Sequence, residues 1–138
     1  MGEQQKVNLK TIKGKIGYKI IKFAIISTTP GVAAGTGTEL IGKIYSKTQE
    51  GAVSTVVDFT ENDLLAVSYN KEGVAASDGG TQVIIFDNAV FNQNIFVTMT
   101  DASGNTIEAN YYIELEVMNI SDLEATYLTL QNIKSITE

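Results

Sequence analysis

Three carboxylates, Asp58, Glu61 and Asp63, fall within the six residues DFTEND. Hard oxygen ligands this close could gather a calcium ion. The spacing is not that of an EF-hand, which places ligands at alternate positions around a central glycine, and Asp63 serves equally well as a turn cap. Glu114 and Glu116 are alternate residues of one strand-like segment, which puts them about 7 Å apart on one face. Paired carboxylates can run glycoside hydrolysis, but that chemistry needs two different environments and a cleft. Alternate charges are the ordinary pattern of a solvated strand face. The chain holds no histidine, cysteine, tryptophan or arginine. Disulfide frameworks, zinc fingers, thiolate nucleophiles and histidine-based triads are therefore excluded. No S-x-x-K motif opens a helix to make a serine–lysine pair. These residue types point to a protein that binds rather than one that turns over a substrate, with no cofactor expected.

Charge is the second chemical signal. The net charge is −6, but it is segregated. Lys6, Lys10, Lys13, Lys15, Lys19 and Lys22 lie in the first 22 residues against the single acid Glu3, a local charge of +5. The rest of the chain carries −11. An acidic body with a basic arm over residues 1–14 suggests docking onto an acidic neighbour. The plainer alternative is lysines in water on an edge strand, where they discourage aggregation. Candidate partner-binding residues are Lys6, Lys10, Lys13, Lys15 and Lys19, with Tyr112. Tyr69, Phe91 and Tyr111 either join Tyr112 in an interface or pack on a sheet.

Gly14–Gly17 matches the G-x-x-G loop of KH domains. Strand-like sequence follows it where that fold needs helix, and no arginine is present to read phosphate or guanine bidentately. Gly31–Gly37 lacks the G-K-[ST] ending of a phosphate loop. Neither nucleic acid nor membrane is an expected partner. The longest apolar stretch, Ile20–Ile26, is interrupted by Lys22 and falls far short of the ~20 residues that span a bilayer. With no secretory h-region visible, the expectation is a soluble protein made in a cytoplasm.

The 138 residues suit one domain, 1–138, able to bury a core without staples. Strand signals fill it. Lys15–Ser27 is rich in isoleucine and aromatics and runs to a turn at Pro30. Glu39–Lys47 alternates, Leu40 and Ile44 against Ile41 and Tyr45. Val53–Phe59 is β-branched, and Leu64–Tyr69 is a further short strand before a polar loop, Asn70–Gly80. Thr81–Phe86 is continuously apolar at its centre, as in a strand buried on both faces. Ile95–Thr100 is expected to pair with Ala109–Met118 across a turn at Asp101–Asn105. In the latter strand Tyr111, Ile113, Leu115 and Val117 share one face, and Tyr112, Glu114, Glu116 and Met118 the other. Ser121 and Glu124 form a capping box. Leu123, Tyr127 and Leu130 then follow at helical spacing, which predicts an amphipathic helix over about 121–136. The whole predicts an all-β, antiparallel β-sandwich or jelly-roll-like domain with one C-terminal α-helix.

Several stretches resemble a small virion structural protein of tailed bacteriophages, of the kind found in phages of marine and cyanobacterial hosts. They are NLKTIKGKIGYKIIKFAII, ELIGKIYSK, VVDFTENDLLAVSY, VIIFDNAVFNQNIFVTM and NYYIELEVMNISDLEATYLTLQNI. The most specific part is IIFDNAVFNQNIFVT with NYYIELE. The resemblance covers nearly the whole chain and implies a capsid decoration-like building block, present in many copies on the particle. Its implied partners are the major capsid protein, other virion subunits and further copies of itself, and its implied location is the virion. It supplies no catalytic residues. A tail or fibre component that binds host glycans would show a shaft sequence or exposed tryptophan, and neither is written here. That tail or fibre component and a cytoplasmic protein-binding module unconnected with virions are the two other classes left open.

Overall fold

The computed structural model describes residues 2–9, 16–28, 38–72, 80–86, 90–102 and 108–119. Eight strands form two antiparallel sheets, with no helix among the described residues. They are β1 (Gly2–Val7), β2 (Ile16–Ser27), β3 (Thr38–Tyr45), β4 (Leu64–Glu72), β5 (Gly80–Ile85), β6 (Val90–Phe91), β7 (Ile95–Asp101) and β8 (Ala109–Asn119). The first sheet runs β1-β7-β3-β4-β5 and the second β6-β2-β8. The expected helix over 121–136, with Leu123, Tyr127 and Leu130, lies outside the described residues. So do the glycine-rich loop 31–37, the polar residues 73–79, the centre of the 101–105 turn, and Gly14 of the G-x-x-G match.

One hydrophobic core joins the sheets. It takes Ile20, Phe23 and Ile25 from β2, Leu40 and Ile44 from β3, Ala66 from β4, and Ile95 and Val97 from β7, with Tyr111, Ile113 and Leu115 of β8 packed against it. The long strand β2 could not face this core along its whole length by simple alternation. Tyr18 and Ile20 point inward, and so do Phe23 and Ile25, although these two pairs are out of phase. A bulge resolves the conflict. Ile20 lies opposite Leu115 and Lys22 opposite Glu114, so Ile21 is the extra residue that resets the phase. Ile21 is accordingly exposed.

Three expectations change. Ile95–Thr100 and Ala109–Met118 do not form a hairpin: β7 pairs with β1 and β3, while β8 pairs with β2 in the other sheet. Both edges of β7 are occupied, and both its faces are buried, Ile95 and Val97 on one and Thr98 and Thr100 on the other. Such a strand belongs in a sheet interior. Thr81–Phe86 is not buried on both faces. Its residues 80–85 make β5 at the end of the first sheet, and Thr81 to Ile84 are exposed. Val53–Phe59 joins no ladder, because two of its carbonyls are claimed by a buried lysine described below. The start of the basic arm, Gly2–Val7, is an edge strand paired with β7. The inward and outward faces of β8 follow the expected alternation as far as Glu116, after which Val117 is exposed opposite Tyr18.

Candidate functional site

Lys43 is the least expected side chain in the fold. It sits on β3, on the face of the first sheet turned away from the shared core, between Val67 of β4 and Thr98 of β7. Only 2% of it is exposed. A buried ammonium must find acceptors, because losing its water costs several kcal/mol. Its Nζ donates to the backbone oxygens of Ser54 and Val56, each at 2.8 Å, and lies 5.8 Å from the centre of the Tyr45 ring. The segment 46–63 is thereby strapped across the outer face of the sheet. Gln49 secures it by donating from its backbone N–H to Gln4 Oε1 at 2.8 Å and from Nε2 to Asp63 Oδ2 at 2.6 Å. Gly51, at a φ of +82°, supplies a left-handed turn that side chains resist.

The acidic cluster DFTEND belongs to this strap. Asp58 Oδ1 accepts from the backbone N–H and the hydroxyl of Thr60 at 2.9 and 2.6 Å, a local turn that holds its carboxyl below the usual range. Asp63 is bound by Gln49. Glu61 acts electrostatically on the buried pair. Burial lowers the Lys43 pKa and the charge of Glu61 raises it in part. The Tyr45 phenol is pushed up to about 12, first by burial, then by Glu61 and Asp63. Among the described residues no three carboxylates converge as a calcium site requires.

The Tyr45 environment has a testable sign. An unfolded phenol ionises near 10.0 and the folded one near about 12, so the fold retains this proton longer. The stability it contributes is complete below pH 10 and is lost as pH rises from about 10 through 12. Titration of tyrosinate absorbance should show a late-ionising group that Tyr45→Phe deletes. The same substitution should flatten the alkaline fall in stability. Identical titrations for the two proteins would contradict this environment.

The other candidate residues do not share one place. Lys6 is exposed on edge strand β1, opposite Phe96. Lys10, Lys13 and Lys15 lie outside the described residues. Lys19 is on the outer face of the second sheet, directly opposite Glu116, as Lys22 is opposite Glu114. Tyr112 shares that face. It is 55% exposed, its hydroxyl donates to Glu114 Oε1 at 2.8 Å, and Lys22 Nζ lies 5.6 Å from its ring centre. The hydrogen bond to Glu114, and then that carboxylate's charge, raise the Tyr112 pKa. Glu114 and Glu116 thus face lysines across the ladder, an arrangement that stabilises strand pairing. Of the four aromatics weighed for an interface, Phe91 is buried against Tyr18, with ring centres 6.0 Å apart. Tyr69 and Tyr111 are half-buried.

One feature had no sequence signal. A cleft of about 450 Å³ opens between β1 and β7 of the first sheet and β8 of the second. Its walls include Leu40, Val97 and Met99, together with Glu3, Asp101 and Glu108. Tyr111 closes one side by donating to Gln5 Oε1 at 3.0 Å, and Asp101 Oδ1 accepts from the backbone N–H of Glu39 at 3.1 Å. The described lining holds carboxylates and no lysine, so its field favours cations and hydrogen-bond donors and repels phosphate. Its three acids are isolated in the sequence and line one cleft only through the pairing of β1 with β7 and the stacking of β8.

No protein family, no curated protein and no solved structure matches this chain. Among the described residues the geometry defines an all-β fold of two antiparallel sheets, with charged edges at β1 and β8 and a strapped outer face.

Proposed function

We propose that this chain is a non-enzymatic virion structural protein: a β-sandwich, jelly-roll-like head decoration subunit that seats on the major capsid protein of a tailed phage. The observation that carries the reading is Lys6, an exposed cation on an outer edge strand of a chain whose body is acidic. Lys10, Lys13 and Lys15 follow it in the sequence. Lys19 and Lys22 have acids opposite them in the ladder, so the charge offered to a partner narrows to the lysines up to Lys15. Exposed apolar residues of the strap, Val56, Val57 and Phe59, add contact surface that salt does not screen. The resemblance of several stretches, over nearly the whole chain, to small virion proteins gives the reading its biological setting.

Attachment of the protein to purified particles tests it. Clustered exposed lysines steer association and are screened by salt. Attachment should weaken as salt rises from about 0.05 to 0.5 M, where the Debye length falls well below 10 Å. Replacing Lys6, Lys10 and Lys13 together by glutamine should weaken attachment and flatten its salt dependence, with thermal stability nearly unchanged. Lys19→Gln should do less to attachment, because Glu116 lies directly opposite it in the ladder. If the triple variant attaches as tightly as the parent at every salt concentration, the lysines are a solvated edge and the docking reading fails.

A further inference from the structure

The three longer edge strands are not alike. β1 carries Glu3 and Lys6, and β8 carries Glu114 and Glu116; charges at such edges discourage strand addition. Edge strand β5 and the residue after it, GTQVIIF over residues 80–86, carry no charge and no proline. Val83 is 45% exposed and Ile84 40%. The backbone on its outer side is also identifiable. The Phe86 N–H donates to the Leu65 oxygen at 3.2 Å, and the β4–β5 register continues unbroken from Ala66 opposite Ile85 to Lys71 opposite Gly80. In an antiparallel ladder the hydrogen-bonding side alternates along a strand. Ile84 and Gln82 therefore bond to β4, while the N–H and C=O groups of Thr81, Val83 and Ile85 point away from the sheet.

We propose that β5 pairs antiparallel with β5 of a second copy of this chain, about a two-fold axis at Val83. That register sets Val83 opposite Val83 and Thr81 opposite Ile85. It engages all six outward backbone groups on each copy in six hydrogen bonds. Centring on Gln82 or Ile84 instead would form only four. The two five-stranded sheets become one continuous sheet across the dimer. Each strand meets an uncharged partner, Val83 stacks on Val83, and Gln82 lies beside Ile84. A second copy is the occupant because the edge is self-complementary about one residue and has no charge for a charged peptide to answer. The same pairing at β8 would bring its own carboxylates together, and like charges in opposed positions are unfavourable. This inference does not depend on the virion reading, and its salt signature is opposite. Each copy carries −6, so screening their mutual repulsion should tighten the dimer as salt rises, whereas lysine-mediated attachment weakens.

Sedimentation velocity across micromolar concentrations tests it on the full chain. The parent should approach twice 14.9 kDa as concentration rises, more readily in high salt. Val83→Lys and Val83→Glu should each remain monomeric, since the two-fold axis sets like charges against each other. An equal mixture of the two variants should recover the dimer. Amide exchange on the parent gives a readout free of mutation: Thr81, Val83 and Ile85 should be protected in the dimer and exchange freely on dilution. A parent that stays monomeric, a Val83→Lys protein that dimerises like the parent, a mixture that stays monomeric, or concentration-independent exchange at those three amides would each overturn the proposal.

Discussion

Phe23→Ala is expected to lower the unfolding free energy by about 3–5 kcal/mol, the range for losing a buried aromatic ring. Phe23 is 1% exposed and belongs to the core shared by both sheets. Its inward position depends on the bulge, which takes Ile21 out of the alternation so that Ile20 and Phe23, three residues apart, both face the core. Deleting Ile21 should therefore remove the bulge and leave Ile20 and Phe23 as alternate residues, both facing the core. It leaves Lys22 opposite Glu114 and Phe23 opposite Ile113, so the loss should be smaller than that of Phe23→Ala. Denaturant unfolding measures both changes. A loss below about 1 kcal/mol for Phe23→Ala, far under the expected range, would mean that the second sheet does not close on the first as described.

The second large effect is at Gly42, where Phe23 and Ile25 of the second sheet pack against β3. A Cβ there would lie 2.9 Å from Phe23 Cζ, 3.0 Å from Ile25 Cγ2 and 3.4 Å from Met99 Sδ. Glycine is required at this position by space. Gly42→Ala should cost about 1–3 kcal/mol, as overpacking does. Phe23→Leu removes the Cζ atom that makes the shortest contact. The double variant should lose less than the sum of the two single losses, with a coupling of about 0.5–3 kcal/mol for residues in contact. Strict additivity in a double-mutant cycle would contradict the packing.

The sequence exposes local alternation well and spatial partnership poorly. β2 was legible to within a residue, and β8 showed its inner and outer faces as far as Glu116, because both follow from side-chain period. The supposed hairpin between Ile95–Thr100 and Ala109–Met118 rested on closeness in the chain, which cannot report that both edges of β7 are already taken. The apolar run Thr81–Phe86 reads alike for a central strand and for an unguarded edge, and only the sheet order distinguishes them. Val53–Phe59 has strand composition, but Lys43 draws its carbonyls away from any ladder. Lys43 looks like an ordinary polar residue in an alternating strand, and nothing local signals that a strap will bury it. Charge segregation was visible at once. The register that sets Lys19 against Glu116 and Lys22 against Glu114, and so reduces it, was not. The acids of the cleft were illegible for the same reason.

The central claim is that this chain is a building block on the outside of a phage head. The most direct measurement is a cryo-EM reconstruction of the intact particle, with mass spectrometry of separated heads and tails. The account predicts the chain in many copies on the head exterior, with the edge bearing Lys6 against an acidic surface of the major capsid protein. Finding it only in tails, or in no particle fraction, would contradict the account.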